Sequence, residues 1–351
     1  MKIFVTGATG FVGSHSAAAL LRAGHQVRFL ARHPAALRAH FSKLGLPADD
    51  VVQADMQDAP AVRAALQGCD GVLHAAAAVN LDASQAAATL QNNLAGVRHV
   101  LGAACEMGLP RLLYVSSLSS LFNPSLPRID EAAPLAQTQN PYAKSKTDAE
   151  VLVRQWQAAG KPVQITYPAA VLGPDDPKLC ASNGGLLTFA SKTLPITRTG
   201  FQFVDVRDMA HMHCALLENP PNSAPGADYS AYRFILGGHY LPWGQLRDAL
   251  QSVTGRRPPA CPLPAPLLRV AAKLADGWQK IHPFETQLTS EAVAFMTQWV
   301  AADSARVQRH TDLGFRPAND TLADTLRWLV QAGHMDARFA GKLPLSSPTG
   351  D

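Results

Sequence analysis

The sequence predicts an α/β protein organised around a doubly wound parallel sheet, with a smaller, mostly helical C-terminal lobe. An apolar N-terminal run, Lys2-Ile3-Phe4-Val5-Thr6, breaks into glycines spaced three apart at Gly7, Gly10 and Gly13. Aliphatic and β-branched bursts then alternate with Ala- and Leu-rich helical stretches, the rhythm of parallel strands joined by crossover helices. Beyond Tyr167 this gives way to short elements interrupted by Gly173-Pro174, Asn183-Gly184-Gly185, Pro220-Pro221 and Pro258-Pro259, a composition suited to loops that shape a pocket.

Taken in order, the β-type bursts place strands at 2–6, 26–31, 51–54, 71–75, 111–116 and 163–167, with helices beginning near Gly10, Ala59, Ala86 and Pro141. The stretch 203–210 reads as a strand running into a helix, and 233–236 as a further strand. The chain is therefore expected to return to the sheet before entering the C-terminal lobe. This division assigns 1–166 and 201–236 to a dinucleotide-binding domain, 167–200 and 237–340 to a substrate lobe, and 341–351 to a flexible tail. No internal repeat at a solenoid period is present.

A formal charge of +4, from 31 basic and 27 acidic residues without a run of like charge, leaves no nucleic-acid footprint. The five cysteines, Cys69, Cys105, Cys180, Cys214 and Cys261, contain no CxxC pair, which fits neither a disulfide framework nor a zinc site. Met1 is followed at once by a core strand rather than a leader, and no apolar stretch reaches the ~18 residues of a spanning helix. A reducing, cytoplasmic setting is expected, with no integral membrane association. An amphipathic helix at 265–274 could lie on a membrane or cover a pocket; packing on its own lobe is the favoured reading.

The chemistry starts at the glycines. A buried strand turning tightly into a helix, with Gly7, Thr9, Gly10, Phe11, Val12 and Gly13 in the turn, lets backbone amides and a helix N-terminus approach a pyrophosphate. At the end of the second strand, Phe29-Leu30-Ala31-Arg32-His33 carries no acid to take ribose hydroxyls. Arg32 can instead pair bidentately with a 2′-phosphate, favouring NADPH over NADH; stacking on adenine or plain solvation of Arg32 would leave NAD(H) possible. Tyr142 and Lys146 stand four positions apart, on one helical face about 6 Å apart along the axis. A nearby ammonium favours phenolate. GxSxG is absent, and the twelve histidines form no metal-ligand cluster in the sequence, so neither an acyl-transfer serine nor a metal site is expected.

Thr6-Gly7-Ala8-Thr9-Gly10-Phe11-Val12-Gly13 resembles the TGxxGxxG signature of the extended short-chain dehydrogenase/reductase family, and the resemblance continues to about residue 330. It implies a Rossmann-type fold and a family of NAD-dependent epimerases, dehydratases and reductases. Arg32 falls where NADP-dependent members such as dihydroflavonol reductases carry arginine. Asp55 and Met56 fall where an acid and a backbone amide meet adenine, and Ala75 and Ala76 in a motif whose small residues admit the adenosine side. Asn93 matches an asparagine that steadies the active site. Ser117, the second serine of Ser116-Ser117, matches the hydroxyl that holds the substrate oxygen; Ser116 is the alternative if the register is off by one. The resemblance makes Tyr142 the proton donor and Lys146 its tuner and ribose ligand, with hydride exchanged between nicotinamide and a carbonyl.

Tyr167-Pro168-Ala169-Ala170-Val171-Leu172-Gly173-Pro174 resembles the RPxxVYGP segment that passes beneath the nicotinamide, which places Pro168 and Val171 against the cofactor. It departs at Tyr167, where arginine is usual. The asparagine with which nucleotide-sugar enzymes hold substrate is replaced by Ala170. Segments 262–270 and 313–317 look like those of dihydroflavonol-reductase-like and 3β-hydroxysteroid-dehydrogenase-like proteins. The expected activity is NADP(H)-preferring reduction or oxidation of a hydrophobic ketone, aldehyde or alcohol. The alternatives are an NAD-dependent nucleotide-sugar epimerase or dehydratase and, less favoured, a non-catalytic NADP sensor. A homodimer through the helices bearing Asn93 and Tyr142 is implied by resemblance.

Overall fold

Parallel strands covered on both faces must be apolar nearly throughout, and the N-terminal strand obeys this, with Ile3, Phe4 and Val5 completely buried. The computed structural model describes residues 1–77, 86–138, 141–221, 229–262, 264–279 and 290–346. The first half runs β1 (Lys2–Thr6), α1 (Phe11–Arg22), β2 (Gln26–Ala31), α2 (Pro34–Lys43), β3 (Val51–Gln53), α3 (Ala59–Leu66), β4 (Gly71–His74), α4 (Ala86–Val97), α5 (Ala103–Glu106), β5 (Arg111–Val115), α6 (Pro141–Ala158) and β6 (Val163–Pro168). There follow β7 (Ala170–Leu172), α7 (Ala181–Ser191), β8 (Leu194–Ile196), β9 (Gly200–Asp205), α8 (Val206–Glu218), β10 (Arg233–Leu236), β11 (His239–Pro242) and α9 (Trp243–Thr254). The chain closes with β12 (Ala260–Pro262), α10 (Ala265–Gln279), α11 (Ser290–Gln298), α12 (Ala305–Thr311) and α13 (Ala318–Gln331).

Among the described residues the main sheet has seven strands in the order β10-β6-β5-β4-β1-β2-β3, every pair parallel. This is the Rossmann-type arrangement. The order reverses between β1 and β4, and ligands of such sheets bind outside the carboxyl ends of the strands at that switch. The glycine turn follows β1, and Ala75-Ala76 follows β4. One apolar layer lies under α1 and α8, with Val5, Phe29 and Met209 buried together. The opposite layer joins Phe4, Tyr114 and Ile165 to Val153 of α6. A third core, with Leu172, Phe203, Trp243, Leu246 and Leu326, belongs to the C-terminal half.

Several expectations are corrected. The strand running into a helix at 203–210 is the end of β9 and the start of α8, and the return to the main sheet is made by β10 alone, since β9 pairs with β7 and β11 in a separate three-stranded sheet. Ala54, Ala75 and Ser116 fall outside the ladder because the chain turns there into loops, whereas Pro168 extends β6 by pairing with Leu236. Helix α2 was not foreseen; it buries just Leu37 and Phe41, too sparse a stripe to announce itself. The start of the expected flexible tail is docked: Lys342 N donates to Thr254 O at 2.8 Å and Leu343 is buried in the third core. Residues 347–351 of that tail lie outside the described residues.

β10 forms the edge of the main sheet. The Glu131 carboxylate accepts from the Ile235 amide at 3.1 Å and pairs with Arg306 at 3.5 Å. Burial pushes this carboxyl above its ordinary range.

Candidate active site

Gly7 has φ of +80°, and a Cβ there would stand 2.6 Å from Ala76 N. At Gly13 a Cβ would drive into the Gly7 carbonyl. The chain itself thus demands glycine at both positions. Gly10 differs, because its missing Cβ would make just one close approach, 3.3 Å from Gly7 O. Gly10 is the N-cap of α1 and offers no side chain to the first-turn amides, so those donors are left for an anionic group. Thr9 and Val12 flank this opening, half-buried, while Phe11 is buried edge-on against His15. The turn fits a dinucleotide pyrophosphate, and Gly7, Thr9, Gly10, Phe11, Val12 and Gly13 are the residues that would hold it.

Arg32 lies just past β2 and is 74% exposed, 3.9 Å from the carboxylate of Asp55. Such an exposed pair is worth at most about 1 kcal/mol, so a phosphate can take the guanidinium at little cost. Asp55 also accepts from the Gln57 amide at 2.9 Å, which shapes the turn after β3. Next to it, Met56 fits against Gly96, where an added Cβ would come within 2.6 Å of the sulfur. Across the switch point, Ala75 N donates to Thr6 O at 3.3 Å and Ala76 N to Thr6 Oγ1 at 3.4 Å. Thr6 Oγ1 meets His74 Nδ1 at 2.8 Å, and burial drives the His74 pKa down to about 3, helped by the Lys146 charge.

Helix α6 carries Tyr142, Lys146, Glu150 and Arg154 at four-residue intervals, one stripe. Tyr142 is the second residue of the helix, and its side chain lies outside the described residues. Lys146 is buried; its Nζ donates to Val115 O at 3.1 Å and sits 5.6 Å over the Tyr114 ring. Burial lowers its pKa to about 8, against the opposing pull of Glu150. Asn93 of α4 donates to Ser145 Oγ at 3.2 Å, which ties α4 to α6 beside Lys146.

The two candidate serines have different surroundings. Ser116 is buried and gives its hydroxyl to Glu150 at 2.7 Å. Ser117 is half-buried, and its Oγ accepts from the Ser119 hydroxyl at 2.9 Å and the Ser119 amide at 3.2 Å. A hydroxyl that accepts twice keeps its own hydrogen to donate outward. Pro168 is buried at the end of β6, and Val171 is buried in the layer that contains Phe11.

Behind the serines lies a network that the sequence reading missed. Glu150 is completely buried, and its Oε2 accepts from Ser116 and from Ser120 at 2.8 Å. Oε1 accepts from Tyr167 OH at 2.7 Å and Arg154 Nε at 2.8 Å. The one available signal was the tyrosine in place of arginine at 167. Here Arg154 of α6 supplies a cation to this cluster, and burial beside Glu150 holds the Tyr167 phenol well above its ordinary range. Asn183, equally unforeseen, braces the Gly173 turn through its carbonyl at 3.1 Å and the Asp176 carboxylate at 3.1 Å.

The profile of the NAD dependent epimerase/dehydratase family matches residues 3–231. A Synechocystis sp. protein, named as a provisional dihydroflavonol 4-reductase, is 28% identical over 336 residues, 95% of each chain. Cinnamoyl-CoA reductase 1 of Arabidopsis thaliana is 30% identical over 359 residues, covering 95% of this chain and 90% of the relative. The crystal structure of a protein called gox2253 superposes with a TM-score of 0.77 at 28% identity, over 96% of this chain and 99% of the other. By these matches the chain belongs to the NAD-dependent epimerase/dehydratase family and is an NAD(P)-dependent short-chain oxidoreductase acting on CH–OH or C=O groups.

Proposed function

We propose that this enzyme is an NADPH-preferring carbonyl reductase, working reversibly as an alcohol dehydrogenase, on a hydrophobic small molecule. The observation that carries the reading is the pairing of an outward-donating Ser117 with a buried Lys146 at the end of β5. Ser117 holds the substrate oxygen. Tyr142 gives that oxygen its proton, and Lys146, one turn along, lowers the cost of the phenolate left behind. When bound, the nicotinamide supplies or takes up the hydride. Arg32 favours the 2′-phosphate, since the pair it now makes with Asp55 is long and exposed.

Ala170, half-buried on β7, has no polar group with which to hold a nucleotide sugar, and the names of the reductase relatives support an apolar carbonyl substrate. The homodimer would pack α4 and α6, whose outer surface includes Val151 at 43% exposure; sedimentation of the purified chain at twice the monomer mass would support it.

The test is cofactor consumption, with NADPH and NADH followed side by side against apolar ketones, aldehydes and nucleotide sugars. Net NADPH oxidation with an apolar carbonyl is expected. Tyr142→Phe should lower turnover by about 10²- to 10⁴-fold while cofactor still binds. Unchanged activity in that variant, or conversion of nucleotide sugars without cofactor consumption, would overturn the reading.

A further inference from the structure

We propose that Glu150 is a positioning residue of the active site: its carboxylate fixes the turn that presents Ser117, and its charge offsets the burial of the Lys146 ammonium. This inference rests on the roles proposed above for Ser117 and Lys146.

A carboxylate with no exposed surface is costly unless every lone pair is used. Pairing with Arg154 and Tyr167 occupies Oε1. Oε2 is given to Ser116 and Ser120, the residues that bracket the Ser117 turn. The single hydrogen of the Ser120 hydroxyl has two acceptors in reach, Glu150 Oε2 at 2.8 Å and the Ser117 carbonyl at 2.7 Å, so this one group stands between the carboxylate and the backbone of Ser117. A carboxylate needed just to neutralise Arg154 would not require both serines.

The second half of the role is electrostatic. Lys146 and Glu150 stand one helical turn apart, about 6 Å along the axis. Among the described residues, the groups facing the Lys146 ammonium are the Val115 carbonyl and Tyr114 ring of β5, His74 of β4, and Glu150 on its own helix. Tyr167 of β6 and Arg154 of α6 are bound to Oε1 of that same carboxylate. Burial keeps His74 neutral, so Glu150 is the anion that favours the charged lysine.

The role is tested on the full chain by nuclear magnetic resonance titration of ¹³C-labelled lysine, with the Lys146 signal identified by its loss in Lys146→Met. The wild-type midpoint is expected near 8, and Glu150→Gln should lower it by about one unit or more. Glu150→Asp keeps the charge and shortens the reach, so its midpoint should stay within about half a unit while kcat falls about tenfold. Ser120→Ala should likewise lower kcat with cofactor affinity and the Lys146 midpoint unchanged. These two variants carry the test if Glu150→Gln does not fold. An unmoved midpoint in folded Glu150→Gln, or wild-type kcat in both Glu150→Asp and Ser120→Ala, would overturn the proposal. The titration needs no turnover, so it is separate from the underlying reading, which would fail instead if Ser117→Ala and Lys146→Met kept full activity.

Discussion

Lys146 reaches from α6 to donate to the carbonyl of Val115 at 3.1 Å, which pins the helix to the last residue of β5. A buried ammonium with a neutral acceptor is held against its hydration. The fall in its pKa from 10.5 to about 8 corresponds to roughly 3 kcal/mol. Since the unfolded chain keeps the ordinary value, that cost is full below pH 8 and is relieved as pH rises toward 10.5. Lys146→Met should therefore unfold at higher denaturant than wild type at pH 7 while losing turnover. A lower midpoint with an unchanged transition slope would contradict this.

The glycines of the turn after β1 separate folding from binding. Gly13→Ala must push the Gly7 carbonyl aside and should cost about 1–3 kcal/mol of stability. Gly10→Ala meets one contact at 3.3 Å and should cost less than about 1 kcal/mol, yet it obstructs the open end of α1 and should weaken cofactor binding more than about tenfold. Thermal unfolding and cofactor titration of the two variants together check the distinction; similar melting temperatures would refute it.

Arg32→Ser should reduce kcat/KM for NADPH by about 10- to 100-fold and change the value for NADH by less than about threefold, as expected from the loss of one charge-assisted phosphate contact. Steady-state kinetics with both cofactors decide this. Equal losses would mean that Arg32 serves adenine rather than phosphate.

Acid should unfold the protein early. Burial lowers the pKa of His213 to about 3, His74 to about 3 and His15 to about 4, from an ordinary 6.5. Below pH 6.5 the unfolded chain gains protons that the fold excludes, so stability falls as pH drops from 6.5 toward 4. Each histidine contributes at most about 1.4 kcal/mol per pH unit. His213, held between Ser16 Oγ at 2.9 Å and Thr166 Oγ1 at 3.1 Å, can be isolated by His213→Leu, which should flatten the pH slope whatever its effect on absolute stability. Denaturant midpoints across that range give the slope.

The legible parts of this protein were those whose physics is local. The turn at Gly7 and Gly13 shows in the sequence because backbone packs on backbone there, which no residue but glycine permits. The Tyr142–Lys146 spacing shows because it spans one helical turn. Glu150, Ser116 and Tyr167 were not recognised as a unit, since they lie on α6, after β5 and on β6, and no spacing relates them. The strand running into a helix at 203–210 was legible as β9 and α8, but its partners were not: alternation reveals a strand without its neighbours, and β9 pairs with β7 and β11. Helix α2 was missed because two buried side chains make too faint a stripe.

Glu131 occupies the hydrogen-bonding position that an eighth strand would take at Ile235. An uncovered sheet margin is a template on which a second molecule can lay its own backbone. With this amide claimed by a buried carboxylate that is itself paired with Arg306, one rung of that template is already taken from within the same chain and is closed to a neighbour's backbone.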